Sequence, residues 1–336
     1  MQIERPAART PRRSALTQSP MAWGAGIVNH GSYADLERCL ASLAAQSLPP
    51  SRVVVYDTGV DPVQFERICQ RHPEAIALAG TNIGYAGGAN RALERLVADP
   101  PADLDFVLVL NPDVELDPDF ASRLLEAAAR DPRVAIATGK LLRADRLTLD
   151  SAGIVFPRHR RPRDRGSEEP DRGQFDSAER VEGASGAAML LRTAALDALE
   201  IEGEIFDESF FAYHEDTDLC WRARRLGYEI LYEPAAVAVH ARGWKRADRF
   251  RIPAEIRRHS FKNHYLQLVK NESRADFLRN LPWLIGWELL RFGFVLVRDR
   301  ALFAGYLDAF RALPDARRRR RVISRRARLL GEAGAE

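Results

Sequence analysis

Between Trp23 and Arg130 the chain alternates short apolar runs with stretches of helical period, and that alternation limits the fold more than any other feature. Residues 24–29 form an apolar run of strand length. Residues 35–46 place Leu36, Cys39, Leu40 and Leu43 on one helical face. Residues 52–56 (RVVVY) are β-branched and end in the turn signal Asp57-Thr58-Gly59. A second helix is predicted over 63–71 and a third strand over 75–78. Residues 82–90 read as a Gly-rich loop entering a helix that ends near Val97. Phe106–Leu110 (FVLVL) is apolar at every position, as a strand covered on both faces must be. A helix is predicted over 118–130, with Pro118 in its first turn. This order predicts an α/β fold on a doubly wound, largely parallel sheet. Such sheets bind ligands beyond the carboxyl ends of their strands. Asp57, residues 82–90 and Asn111-Pro112-Asp113 each follow a predicted strand, so they are expected to gather on one edge.

The rest of the chain reads differently. Residues 157–182 are polar and rich in charge, Gly and Pro, which predicts a long loop that is either functional or disordered. A small-residue run at 183–188 leads into a strand over 188–191. A helix is predicted over 216–226, closed by Gly227, and strands over 228–232 and 237–240. Residues 252–271 read as a helix of mixed charge. Residues 281–297 are apolar but interrupted by Glu288 and Arg291. A charged pair in mid-span is costly, so this stretch is expected to lie in a membrane interface or pack on a partner. Trp283, Trp287, Phe292 and the arginine run from Arg317 to Arg321 suit a headgroup-level position. The other reading is a core helix of a C-terminal subdomain with a solvated arginine tail.

Composition sets the limits of this reading. With 336 residues, 46% hydrophobic and 29% charged, the chain can bury a sizeable core. Residues 1–21 are expected to be a disordered leader; they are Arg- and Pro-rich and lack the apolar centre of a secretory signal. Cys39, Cys69 and Cys220 are odd in number and widely spaced, which suits reduced thiols in the cytoplasm. The net charge is only +3, and the arginines cluster at the ends without interleaved stacking aromatics. That distribution argues against a nucleic-acid partner.

Four segments can carry chemistry. Asp113 in Asn111-Pro112-Asp113 is a carboxylate at a strand end, suited to a hard cation that bridges diphosphate oxygens; a plain turn is the alternative. Glu215, Asp216 and Asp218 open a predicted helix behind the apolar Phe210-Phe211-Ala212-Tyr213. They serve the helix dipole, or one of them serves as general base toward a hydroxyl at a pocket mouth. His240 closes a strand and can join a cation site. Asn82, Gly84 and Asn90 lie in a segment whose glycines allow close backbone approach, before a helix N-terminus suited to phosphate; an ordinary tight turn is the alternative.

Taken in order, these segments resemble the inverting glycosyltransferases of family 2, especially the bacterial rhamnosyltransferase-like branch. The likeness rests on Ile27-Val28-Asn29, Val53-Val54-Val55-Tyr56-Asp57, Asn82-x-Gly84-Tyr85-x-x-Gly88-x-Asn90, Asn111-Pro112-Asp113, Gly186-Ala187-Ala188, Phe206-Asp207-Glu208-x-Phe210-Phe211, Glu215-Asp216-x-Asp218-Leu219 with Arg222, and Val239-His240. It covers residues 22–245 and leaves 246–336 as a helical, basic extension.

The resemblance implies a GT-A, Rossmann-like nucleotide-diphospho-sugar transferase fold and a dTDP- or UDP-linked donor. It implies that Asp57 reads the base, and that Asn29, Asn82, Gly84, Asn90, Asn111 and Asp113 serve the donor. Asp113 and His240 would hold Mg²⁺ or Mn²⁺. Asp216 would be the base, with Glu215, Asp218 and Arg222 supporting the acceptor. The expected activity is transfer of rhamnose or another hexose to a glycan or lipid-linked acceptor, in polysaccharide synthesis at the cytoplasmic membrane face. A catalytically inactive scaffold of the same fold is the alternative. The sequence departs from the family at Asp57-Thr58-Gly59, at Asn29-His30-Gly31-Ser32, and at Asn111 where fuller forms of the motif carry an acid.

Overall fold

The computed structural model of the chain describes residues 21–98, 104–242 and 250–333. All of the expected leader except Met21 lies outside the described residues. The first part of the chain folds as β1 (Trp23–Asn29), α1 (Tyr33–Ala44), β2 (Arg52–Asp57), α2 (Pro62–Arg71), β3 (Ala75–Ala79), α3 (Gly84–Val97) and β4 (Phe106–Leu110). Next come β5 (Val114–Leu116), α4 (Phe120–Ala129), β6 (Val134–Leu142), β7 (Leu149–Ser151), β8 (Ile154–Val155), β9 (Arg163–Asp164), β10 (Glu179–Arg180) and β11 (Ala188–Arg192). The chain continues through α5 (Leu196–Leu199), α6 (Glu215–Arg225), β12 (Glu229–His240), α7 (Ala254–Asn271), α8 (Arg274–Val297) and α9 (Phe303–Ala333).

The main sheet runs β10-β12-β6-β11-β4-β1-β2-β3, with β5 added to β12 and β7 to β6. β3, β2, β1 and β4 are parallel, as expected. In the other half β12 also runs parallel to β6, while β11, inserted between β6 and β4, is antiparallel to both. Helices cover both faces. Leu36, Leu40 and Leu43 of α1, Phe65 of α2, and Phe120 and Leu124 of α4 pack on one. Leu93 and Leu96 of α3, Leu199 of α5 and Leu219 of α6 pack on the other. β4, buried at every position between these layers, gains about 1.5–3 kcal/mol per large side chain removed from water.

Several boundaries differ from expectation, each for a local reason. The Gly-rich loop is helical from Gly84 onward, so Asn90 sits inside α3. Pro118 stays outside α4, whose cap is Asp119. The two strands expected over 228–240 are one strand, β12, with a register break between Glu233 and Val237 where Pro234 cannot donate to the ladder. β6 was not anticipated: its buried Thr138 and Lys140 interrupt the apolar pattern, and Lys140 pairs with Asp171 at 3.0 Å and with Asp176. The 157–182 segment is built onto the core, with β9 pairing β8 and β10 pairing β12.

The C-terminal helices dock on this core. Arg319 pairs with Glu204 at 2.8 Å, Arg318 with Glu202 at 2.9 Å, and Arg320 donates to the Val269 carbonyl at 2.8 Å. Arg318 and Arg319 of the arginine run therefore dock on the core and Arg320 on α7, while Arg317, Arg318 and Arg321 stay exposed. α8 is the one helix among the described residues long and apolar enough to cross a membrane by length and composition. Its two mid-helix charges face inward: Glu288 accepts from Tyr265 at 2.6 Å and Tyr306 at 2.8 Å, and Arg291 lies 3.9 Å from the Phe261 ring centre. Its outer side exposes Leu289, Phe292, Leu296 and Val297.

Candidate active site

β1 and β2 are in register at their ends, which sets Asn29 beside Asp57. The Asn29 amide donates to Asp57 Oδ2 at 2.6 Å, and the Gly59 backbone N–H donates to Oδ1 at 2.8 Å. Both side chains are fully buried. They lie at the strand-end edge next to the switch point between β1 and β4, where order in the sheet reverses.

Asn111, Pro112 and Asp113 follow β4 on the same edge. β12 returns antiparallel to β5 and sets His240 opposite Val114. His240 Nε2 lies 3.3 Å from Asp113 Oδ1, and its Nδ1 lies 2.7 Å from Oδ2 of the fully buried Asp150. Burial alone would lower the imidazole pKa, yet the two carboxylates raise it to about 9. For Asp113 burial acts upward, but the His240 hydrogen bond and charge bring its pKa below the usual value. Arg143 and Arg242 hold Asp150 from the other side, at 2.7 and 3.5 Å.

Asp216 opens α6. Its Oδ2 accepts from the Gly186 N–H at 3.0 Å, and the Tyr85 hydroxyl donates to the Gly186 carbonyl at 2.8 Å. A Cβ on Gly186 would sit 3.2 Å from that of Asp216, so a larger residue there would press on the carboxylate. Burial raises the Asp216 pKa despite the amides it accepts from. Burial, then the charge of Asp216, push Glu215 well above its usual value. Glu215 Oε2 has no partner among the described residues. Ala187, the residue after Gly186, accepts from the Asn111 N–H at 3.0 Å, so the acidic start of α6 and the Asn111–Asp113 turn are tied to the same short segment.

The loop before Asp216 is strained. Phe211, Tyr213 and His214 all have positive φ, near 64°, 69° and 72°, a conformation side chains adopt only when their surroundings impose it. α7 does so: the Asn263 amide donates to the carbonyls of Phe210, Ala212 and Tyr213 at 2.8, 3.0 and 2.8 Å. Gly84, at φ +78°, lets α3 come close; a Cβ there would meet the Phe211 carbonyl oxygen at 2.3 Å.

Residues 25–266 match the family described as "Glycosyltransferase like family 2". The chain belongs to that family. It is 31% identical over 289 residues to the N-acetylglucosaminyl-diphospho-decaprenol L-rhamnosyltransferase of Mycobacterium tuberculosis, across 79% of this chain and 89% of the relative. Its fold matches the mannosyltransferase PcManGT of Pyrobaculum calidifontis, solved with GDP-Man and Mn²⁺, at a TM-score of 0.53 and 16% identity over 95% of this chain and 81% of the other. It also matches S. aureus TarS 1-349, solved with UDP-GlcNAc, at a TM-score of 0.58 and 17% identity over 94% and 88% of the two chains. The mixed α/β core with its helical extension is thus a GT-A-type fold.

Within this glycosyltransferase the expected residues divide into two groups. Asn29, Asp57, Asn111, Asp113, His240, Glu215 and Asp216 gather at the strand-end edge. Asn82 accepts from the Gly84 N–H at 3.0 Å and shapes the entry to α3. Asn90, Asp218 and Arg222 face protein. The Asn90 amide donates to the Phe206 carbonyl at 2.8 Å and to Glu208 at 3.1 Å. Asp218 binds Lys270 and Asn271, both at 2.7 Å, and Arg222 donates to the Ile205 carbonyl. Asp150, Arg242, Asn263 and Lys270 were not singled out from the sequence. Arg242 stands two residues beyond His240, the one local hint; the rest come from distant segments.

Proposed function

We propose that the chain is an inverting hexosyltransferase, moving rhamnose or another hexose from a dTDP- or UDP-linked donor to a hydroxyl of a glycan or lipid-linked acceptor. The supporting observation is that Asp216 and the Asn111–Asp113 turn are both bonded to Gly186-Ala187, at the strand-end edge that also carries Asp57. In this reading Asn29 and Asp57 take the base, while Asn82, Gly84, Asn111 and Asp113 line the path of the diphosphate and sugar. Asp216 takes the acceptor proton as its hydroxyl attacks the anomeric carbon from the face opposite the leaving diphosphate. A raised pKa suits that task, because a stronger base draws the proton more readily. Asn90, Asp218 and Arg222 act through the positions of α3 and α6, while Glu215 lies beside the base.

Among the described residues no group of three or more His, Cys, Asp or Glu is arranged to hold a metal. Asp113 and His240 together still fit a hard divalent ion, such as Mg²⁺ or Mn²⁺, that takes its other ligands from water and phosphate. Asp150 then plays the outer carboxylate that orients the imidazole. Such an ion, when bound, neutralises charge on the departing diphosphate.

The outward apolar side of α8 and its inward-turned charges support peripheral contact with the cytoplasmic membrane face. The test of the whole reading is a panel of nucleotide sugars titrated with Mg²⁺, Mn²⁺ or a chelator. One dTDP- or UDP-sugar is expected to bind and to hydrolyse slowly in a metal-dependent way. Absence of binding across the panel overturns the reading.

A further inference from the structure

α8 carries exposed apolar side chains in one stripe. Leu278, Ile285, Leu289, Phe292 and Leu296 are each at least 48% exposed. Steps of three, four and seven residues keep them on one face of the helix. At about 1.5 Å of rise per residue the stripe runs about 27 Å, most of the length of α8. Glu288 and Arg291 lie off it and face Tyr265, Tyr306 and Phe261. A helix that is apolar along one side, with charges turned into the protein on another, suits a position in the plane of a membrane surface rather than across it.

Arg274 stands one turn before Leu278 on the same face, so the stripe ends on a cation. It also lines a pocket of about 450 Å³ between α7, α8 and α9, with Arg317, Arg320, Val269, Phe277 and Leu278 in the walls. Arg274 and Arg317 are exposed, and neither guanidinium has a hydrogen bond or ion pair among the described residues. Two neighbouring carboxylates are engaged elsewhere. Glu272, in the same pocket, accepts from Arg160 at 2.5 and 3.0 Å, and Asp276 pairs with Arg279 at 2.9 Å. Burial, and then the charge of Arg274, lower the Arg320 pKa; burial, and then the charge of Arg320, lower that of Arg225. Like charges therefore act on one another here, and Glu272 offsets them only in part because Arg160 shares it. Cations short of counter-charge, at the end of an exposed apolar stripe, are complementary to a layer that is anionic at its surface and apolar beneath.

We infer that the chain docks on anionic phospholipid, with headgroup phosphates on Arg274, Arg317 and Arg320 and the Leu278–Leu296 stripe among the first methylenes of the acyl chains. The inference rests on the peripheral membrane contact proposed above. It adds the charge class of the lipid, the residues that read it and a flat orientation of α8. A zwitterionic headgroup carries its own cation beside the phosphate and offsets these guanidinium groups less.

The test measures binding of the full chain to phosphatidylglycerol and phosphatidylcholine vesicles by co-sedimentation, at constant ionic strength. Phosphatidylglycerol vesicles are expected to bind at least about tenfold more tightly, since each basic residue near an anionic surface contributes about fivefold. The Arg274→Gln/Arg317→Gln double variant is expected to lose most of that preference while its binding to phosphatidylcholine and to nucleotide sugar stays unchanged. Arg91→Gln/Arg123→Gln, which removes the same charge from α3 and α4, is expected to keep the preference within about twofold; an equal loss there makes the effect one of net charge and overturns the proposal. Leu289→Asp is expected to weaken binding to both vesicle types. Equal binding of the parent to both overturns the proposal and leaves the apolar contact of α8 standing, whereas binding to neither removes the membrane contact as well. Displacement from the vesicles by glycerol phosphate assigns the cations to a soluble anion and overturns it. A dimer in solution that Leu289→Asp dissociates assigns the stripe to a second copy and overturns it too. A drop in nucleotide-sugar affinity in the Arg274/Arg317 variant places those residues at the donor site and contradicts the proposal, without touching the transferase reading.

Discussion

On the proposed donor side, Asn29, Asp57 and Asn111 are held at the ends of neighbouring parallel strands, where ladder register sets their spacing. On the proposed acceptor side, Asp216 follows a loop with three positive-φ residues, and what holds that loop is the helical extension. α7 also supplies Lys270, which bridges Asp207 and Asp218 in a cluster where each group is at most 1% exposed. The edge proposed for the donor is a property of the sheet, and the edge proposed for the acceptor is a property of how the extension docks, so the two should respond differently to changes in α7.

The sharpest way to break that contrast is Lys270→Met. It leaves the Asp207 and Asp218 carboxylates buried, with Arg319 still 3.7 Å from Asp207. Removing one partner of a buried ion pair costs about 3–5 kcal/mol, so the denaturant midpoint should fall steeply. Transfer should be lost at temperatures where nucleotide-sugar binding survives. Stability within about 0.5 kcal/mol of the parent would dissolve the contrast. The same cluster has a pH signature. Burial would raise the Asp207 pKa, but Lys270 and Arg319 hold it well below the usual value. Its stabilisation is therefore present above the unfolded Asp value of about 3.9 and is lost as pH falls toward the folded one.

Asn263→Ala is next in size. It strips one amide from three carbonyls, at a cost of about 1–3 kcal/mol. Because those carbonyls fix the loop before Asp216, kcat should drop while donor KM changes little. A rise in donor KM with unchanged kcat would place the loop on the donor side instead. The smallest effect on folding belongs to Leu289→Asp on the outer side of α8, where Leu289 is 69% exposed. Stability should stay within about 0.5 kcal/mol, while binding to anionic vesicles in a flotation assay should fall. Unchanged flotation would remove α8 from the membrane contact.

The contrast also explains what the sequence shows. Phe106–Leu110 and residues 52–56 read as strands because they are apolar or β-branched throughout, so the polar residues ending them could be placed on an edge without coordinates. Asp216 and His240 were legible through motif order. Asp150 was not: it reaches His240 across 90 positions from a three-residue strand with no pattern of its own. Lys270 and Asn263 read as the polar side of a mixed-charge helix, and only packing reveals that they are buried. Asn90 illustrates the converse: its place in the motif suggests a donor contact, yet its amide holds the Phe206 backbone.

The central claim is that Asp216 removes the acceptor proton at a site whose donor half stands independently. Asp216→Asn measures it most directly, with transfer and nucleotide-sugar binding followed on the same preparation. The account predicts transfer lower by about 10²–10⁴-fold, donor affinity within about twofold of the parent, and, in the parent, a rate that falls as acid protonates a carboxylate whose pKa lies above its usual value. Near-normal turnover in the variant would contradict it.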